Sequence, residues 1–220
     1  MSRLRRSTTW FHGCPQVATI VLFGLVNVSE TQPRFDWKFG VIGGIAGLAW
    51  GAGFRSFMWQ ISPTPHVNWA GTFLGILLPG AVTGALLGIA EARRRAKRLR
   101  GLRWFALAPA AFAIAPMLSS PNFFVILVTT GLGGGAIGVA VLAVAGGFSL
   151  GTGPLWARIV TGILAVALLV GVTLTVPSIG GPSLALTTAR GAWVAVLVAS
   201  FLAILAVASA IPFRRIPTDV

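Results

Sequence analysis

A chain of 220 residues with 55% hydrophobic and only 10% charged residues falls well short of the roughly quarter-charged make-up of soluble domains, which excludes a sizeable soluble domain. The formal net charge of +13 invites a nucleic-acid reading, but the placement of the basic residues argues against it. A single cysteine, Cys14, excludes an internal disulfide and a cysteine-rich metal site.

Residues 1–36 place "RLRR" ahead of "VATIVLFGLV", the order of a secretory signal, but no small-residue cleavage site follows. The apolar run, about 12 residues, is too short to span a bilayer; if it did span, the amino terminus would move outside and the span count would become seven. Cys14 precedes this run, whereas a lipid-modified cysteine follows one. The expectation is a peripheral or poorly ordered extension, an upstream start codon being one source of it.

From residue 37 the chain reads as an all-α polytopic membrane domain, 37–213, with a short cytoplasmic tail over 214–220. Apolar run lengths near the roughly 20 residues that cross a bilayer and their flanks predict six spans, about 38–61, 68–91, 103–120, 122–146, 157–177 and 188–211.

The first span carries Gly40, Gly44, Gly47 and Gly51, and the second carries Gly80, Gly84 and Gly88. At about 100° per residue each set falls on one narrow helix stripe. Lipid offers no hydrophobic drive between helices, so close backbone approach through small residues is how such helices pack. These stripes are expected to be packing faces. Pro79, Pro109 and Pro116 are expected to kink their helices.

Arg55 is the costly residue of the first span. It falls near the glycine stripe, which turns it toward the bundle. All four acids, Glu30, Asp36, Glu91 and Asp219, are expected at the opposite end. Its expected contacts are Gln60, Asn68, the backbone of the 62–67 loop, water, a lipid phosphate or an external anion. Snorkelling to the headgroups is the structural alternative to an anion contact.

After the second span, "EARRRAKRLRGLR" places Arg93, Arg94, Arg95, Lys97, Arg98, Arg100 and Arg103 on one short loop. It sets topology and attracts anionic lipid headgroups, with Glu91 and Arg95 paired at i, i+4. The third and fourth spans are separated only by "SSPN" and predict a tight helical hairpin. "GFSLG" at 147–151 fits the nucleophile-elbow pattern. It lies on an expected cytoplasmic loop, with His66 across the membrane and His12 in the extension, so a catalytic Ser149 is not expected. "GLGGGAIG" (131–138) resembles a dinucleotide loop in composition alone, with no preceding strand. Two distant histidines make no metal site. Neither an enzyme nor a cofactor is expected.

With both termini cytoplasmic, 15 of the 17 basic residues fall inside, leaving only Arg55 and Arg190 outside, as the positive-inside rule requires. Trp37, Trp59, Trp69, Trp104, Trp156 and Trp193 fall near span ends, as interfacial belts do; Trp50 alone is mid-span. "GVIGGIAGLA" (40–49) and "GLGGGAIGVA" (131–140) share glycines in spans that run oppositely, the arrangement of a 3+3 inverted repeat; chance similarity between Gly/Ala-rich helices is the alternative. Arginine outnumbers lysine 15 to 2, a bias expected of a GC-rich bacterial genome, and hence of a bacterial cytoplasmic membrane.

Two function classes follow. One is a membrane scaffold or accessory subunit, with a membrane protein partner or a second copy. The other is a small transporter or channel with Arg55 near an outer-side site. A polar-lined cavity reaching the midplane would favour transport. A sealed bundle with a small-residue groove facing lipid would favour partner binding.

Overall fold

Apolar runs of Leu, Ala, Val and Gly satisfy their own backbone groups as helices, and in the computed structural model all regular structure among the described residues (36–62, 67, 69–98, 100–119 and 132–214) is helical. Helix α1, Lys38–Ile61, coincides with the first predicted span. It stops where Ser62 turns extended, as the following Pro63 demands of its neighbour.

The second helical stretch changes geometry along its length. Ala70–Leu77 is π-helical and α2, Leu78–Arg95, follows. Pro79 sits at the junction, where its missing N–H removes a rung from the ladder. At the far end Lys97 adopts φ 55°. The Arg98 N–H then reaches the Arg93 carbonyl at 2.9 Å and the Lys97 N–H reaches that of Arg94 at 3.1 Å. This paired closure satisfies orphan helix carbonyls, with lysine in the position glycine usually takes.

From Gly101, at φ 78°, the chain enters a 3-10 stretch, Leu102–Ala110, which holds Pro109 near its end and gives way to α3, Ala111–Ser119. Helix α4 is Leu132–Ser149, and the tip of the expected hairpin lies outside the described residues. Helix α5 is Leu155–Gly180. Helix α6, Ala189–Ser209, is capped by the Thr188 hydroxyl accepting from the Gly191 N–H at 3.0 Å.

Among the described residues, four helical stretches are long and apolar enough to cross a membrane: Lys38–Ile61, Ala70–Arg95, Leu155–Gly180 and Ala189–Phe213. Of the predicted third and fourth spans, the described residues include shorter apolar helical stretches, Leu102–Ala115 and Gly135–Ser149. Residues 1–35 and 215–220, which hold the expected extension and most of the tail, lie outside the described residues.

The helices alternate in direction. The start of α1 meets the end of α2, where the Phe39 carbonyl lies against Gly88. The end of α4 meets the end of α6 through Gly147 and Ser209, and Arg158 near the start of α5 donates to the Ser149 carbonyl at 3.0 Å. At the opposite end Gly180 lies beside the Ile61 carbonyl. One end therefore gathers Lys38, Arg93, Arg94, Arg95, Lys97, Arg98, Arg100, Arg103, Arg158 and Arg214, and the other holds Arg55 and Arg190. Exposed tryptophans mark both ends: Trp37, Trp104 and Trp156 at the basic one, Trp59, Trp69 and Trp193 at the other.

The α1–α2 interface is a glycine seam that departs from the expected stripes at one position of α1. Gly43, Gly47, Gly84 and Gly88 have no room for a methyl group, each facing backbone of the other helix: Gly43 against the Gly84 carbonyl, Gly47 against that of Gly80. Gly40 and Gly51 border the seam. A side-chain carbon at Gly44 would make only ordinary contact with Ala85, 3.6 Å away. Spacings of three and four both keep a stripe on one face, so the pair Gly43–Gly44 was ambiguous. The closest contact falls on Gly43, while Gly44 faces Ala85 and the Ala81 carbonyl of α2 at ordinary contact distance.

The middle of the bundle is filled by aromatic rings. Trp50 stacks on Phe54 at 5.0 Å and meets Phe112 and Phe201 edge-on at 5.3 and 6.1 Å. Its indole N–H donates to the Phe201 carbonyl at 3.0 Å, tying α1 to α6. Leu142, Val194, Val198 and Leu202 complete this core.

Candidate functional site

Arg55 lies one and a half turns before the end of α1, on a helix whose seam glycines draw α2 close. Its Nε–H donates to the Thr72 hydroxyl at 3.2 Å. Thr72 is 7% exposed and sits in the π-helical stretch. The wider turn brings the Thr72 hydroxyl against α1, and the guanidinium meets a neutral oxygen there. Of the contacts expected from sequence, Asn68 lies outside the described residues. The backbone carbonyl of Gln60 accepts from Arg190 Nη2 at 3.4 Å. Thr72 was missed because nothing in a threonine seventeen positions away announces a partner.

At the basic end Glu91 holds two arginines. Arg94 grips it with both Nε, at 2.7 Å, and Nη2, at 2.8 Å, while Arg95 Nε donates to the second oxygen at 2.7 Å. The expected i, i+4 pair is therefore present, joined by a bidentate i, i+3 pair. Arg93 lies over the Phe105 ring at 5.1 Å and Arg95 over the Phe39 ring at 4.8 Å, geometries in which a guanidinium is attracted to the ring face. Arg98 and Arg100 are exposed.

Below this cluster α1 and α2 stay in contact, the Phe39 carbonyl against Gly88 and Gly43 against the Gly84 carbonyl. Gly44 turns away from the seam to face Ala85, and an open apolar groove of about 590 Å³ runs along the outer side of the helix pair. Gly40, Gly44, Ala81 and Ala85 give it depth, Val41 and Val82 border it, and Trp37 and Ile89 stand at its basic end.

Ser149 ends α4, and its hydroxyl donates to the Gly146 carbonyl at 2.8 Å. That is a helix-end bond, and the strand-to-helix turn of a nucleophile elbow is not the geometry here. His12 and His66 lie outside the described residues. Gly133, Gly134, Gly135 and Gly138 of "GLGGGAIG" fall inside α4, so these described glycines form helix and not a phosphate-cradling loop.

Comparison with known proteins finds no matching family model, no matching curated protein and no matching solved structure.

Proposed function

We propose that this chain is a non-enzymatic scaffold or accessory subunit of the bacterial cytoplasmic membrane, crossing it six times with its basic end and both termini in the cytoplasm. The observation that carries the scaffold reading is the filled centre. Trp50, Phe54, Phe112 and Phe201 occupy the mid-bundle and are pinned by the Trp50–Phe201 bond, which supports a body that presents its outside rather than its inside. Helix α5 supplies the largest such outside, with Ile159, Ile163, Val166 and Val170 all exposed. Gathering ten described basic residues at one end against two at the other supports the orientation, since basic residues are retained on the cytoplasmic side. Deleting residues 1–33 should leave insertion and thermal stability nearly unchanged.

Two experiments test this reading. On a Cys14→Ser background, Lys97→Cys should be labelled only from the cytoplasm and Ser183→Cys only from outside; the reverse pattern overturns the orientation. A photo-crosslinking residue at Val166 in native membranes should give a discrete protein adduct.

A second reading, a small transporter or channel for a small solute or anion, is favoured by the Arg55–Thr72 contact, because π-helical turns are frequent at functional sites. Purified protein in liposomes distinguishes the two. Anion or solute flux above that of protein-free vesicles, lost in Arg55→Lys and Arg55→Ala, would replace the scaffold reading. Under the scaffold reading all three proteins match empty vesicles.

A further inference from the structure

We infer that the groove between α1 and α2 is a binding site for an anionic phospholipid, the acyl chain lying along Gly44 and Ala85 and the headgroup held at Lys38 and Arg95. This rests on reading the chain as membrane-embedded with its basic end at a headgroup layer. Depth comes from the register found above. With Gly43 taking the closest contact to α2, Gly44 is left with room beside Ala85, and small residues at Gly40, Ala81 and Ala85 keep the channel open. Its walls are apolar, matching hydrocarbon.

Charge selects the occupant. The groove closes toward the basic end at Trp37 and Ile89. Lys38 follows Trp37 directly, and Arg95 stands over Phe39 with 46% of its side chain exposed. Two carboxylates are described at this end, and both are engaged: Glu91 by Arg94 and Arg95, and Asp36 by the backbone N–H of Lys38. With ten basic residues against these two carboxylates among the described residues of this end, a phosphate arriving at the mouth of the groove meets an excess of positive charge, and a chain attached to it has an apolar channel to enter. A second copy docked here in parallel would bring two arginine-rich ends together, which like-charge repulsion disfavours. A zwitterionic lipid offers the same chain with less charge to be held. Tryptophan beside the headgroup is the usual interfacial placement.

The test is retention of dioleoyl phosphatidylglycerol through detergent purification, read by native mass spectrometry, with dioleoyl phosphatidylcholine as competitor. Wild type should keep one phosphatidylglycerol in preference to phosphatidylcholine. Gly44→Leu fills the channel without touching the seam and should lose about tenfold in retained lipid while unfolding at the wild-type temperature in phosphatidylcholine nanodiscs. Val82→Trp should act likewise from the other wall, so a folding failure in one variant does not decide the matter. Lys38→Gln and Arg95→Gln should each keep a lipid but lose the preference for phosphatidylglycerol by about fivefold, as expected when one basic contact near the headgroup layer is removed. Glycerol phosphate, a headgroup without chains, should give no thermal shift. Undiminished retention in both groove variants would overturn the site, as would equal retention of the two lipids by wild type. A protein adduct in place of a lipid adduct from a photo-crosslinker at Val82 would overturn it too. Retention is read in detergent and does not depend on orientation, so failure of the site and failure of the topology are seen separately.

Discussion

Two glycine-rich stretches of this chain, 40–49 and 131–140, look alike in sequence and do different work. In the first, Gly43 and Gly47 let α1 and α2 meet backbone to backbone. In the second, the positions matching Gly44 and Gly47 are Gly135 and Gly138, and among the described residues nothing comes within 4 Å of where their side chains would begin. The shared pattern therefore marks helices permitted to approach closely, and whether they do so depends on a partner elsewhere in the chain. Helix α2 supplies matching glycines at the same spacing; α4 reaches its tight contacts later, at Gly146 and Gly147 against α6.

The largest effect that would break this comparison is expected from Gly47→Leu and Gly84→Leu. Each forces a branched side chain into the facing backbone and should cost about 1–3 kcal/mol or more, as overpacked sites do, read as a drop in thermal unfolding temperature in detergent. Gly171→Leu, on the outward face of α5 with open space around it, is the control. Equal losses at both places would remove the seam as an explanation.

Next comes a pair in which one chemical change has opposite signs. Gly43→Ala should destabilise by about 1 kcal/mol, the lower end for an overpacked site, because the Gly84 carbonyl occupies the methyl position. Gly138→Ala should instead gain about 0.5 kcal/mol, since alanine reduces the freedom of the unfolded helix where space allows. Destabilisation at Gly138 comparable to that at Gly43 would show that the second stretch is also a close contact.

The smallest loss expected is from Trp50→Phe. It keeps a ring in the aromatic core and removes the N–H bond to Phe201; polar bonds between membrane helices average about 0.6 kcal/mol. Chemical denaturation in mixed micelles would measure it. A loss several times larger would mean that the bond between α1 and α6 organises the centre as much as the seam organises the edge.

Local signals are legible in the sequence and pairings are not, for a physical reason. The boundaries of α1 coincide with the predicted span, and α5 and α6 lie within a few residues of theirs, because hydropathy and flanking Pro or Thr act over short distances. The two-ended distribution of arginine and tryptophan was legible too, since it depends only on which spans run which way. The choice of Gly43 over Gly44 was not, because a stripe tolerates either and only the facing helix decides. Thr72 as the partner of Arg55, and Phe201 as that of Trp50, are contacts 17 and 151 residues apart that leave no periodic trace. The π-helical stretch was equally silent: its sequence, AGTFLGIL, has the composition of any membrane helix.

That stretch has a bearing on how the gene can change length. An i→i+5 turn holds one residue more than an α-turn, so Ala70–Leu77 contains slack. A one-residue deletion there can be absorbed by tightening toward ordinary α-helix, leaving Gly80, Gly84 and Gly88 aimed at α1. The same deletion inside Leu78–Arg95 has nothing to absorb it. It would swing everything beyond by about 100° and carry the remaining glycines off the seam. Removal of Leu74 should therefore leave far more folded protein in the membrane than removal of Ala81, and equal yields would deny the slack. Insertions and deletions accumulating over generations would be filtered along one helix, tolerated at the Arg55 end and purged at the other.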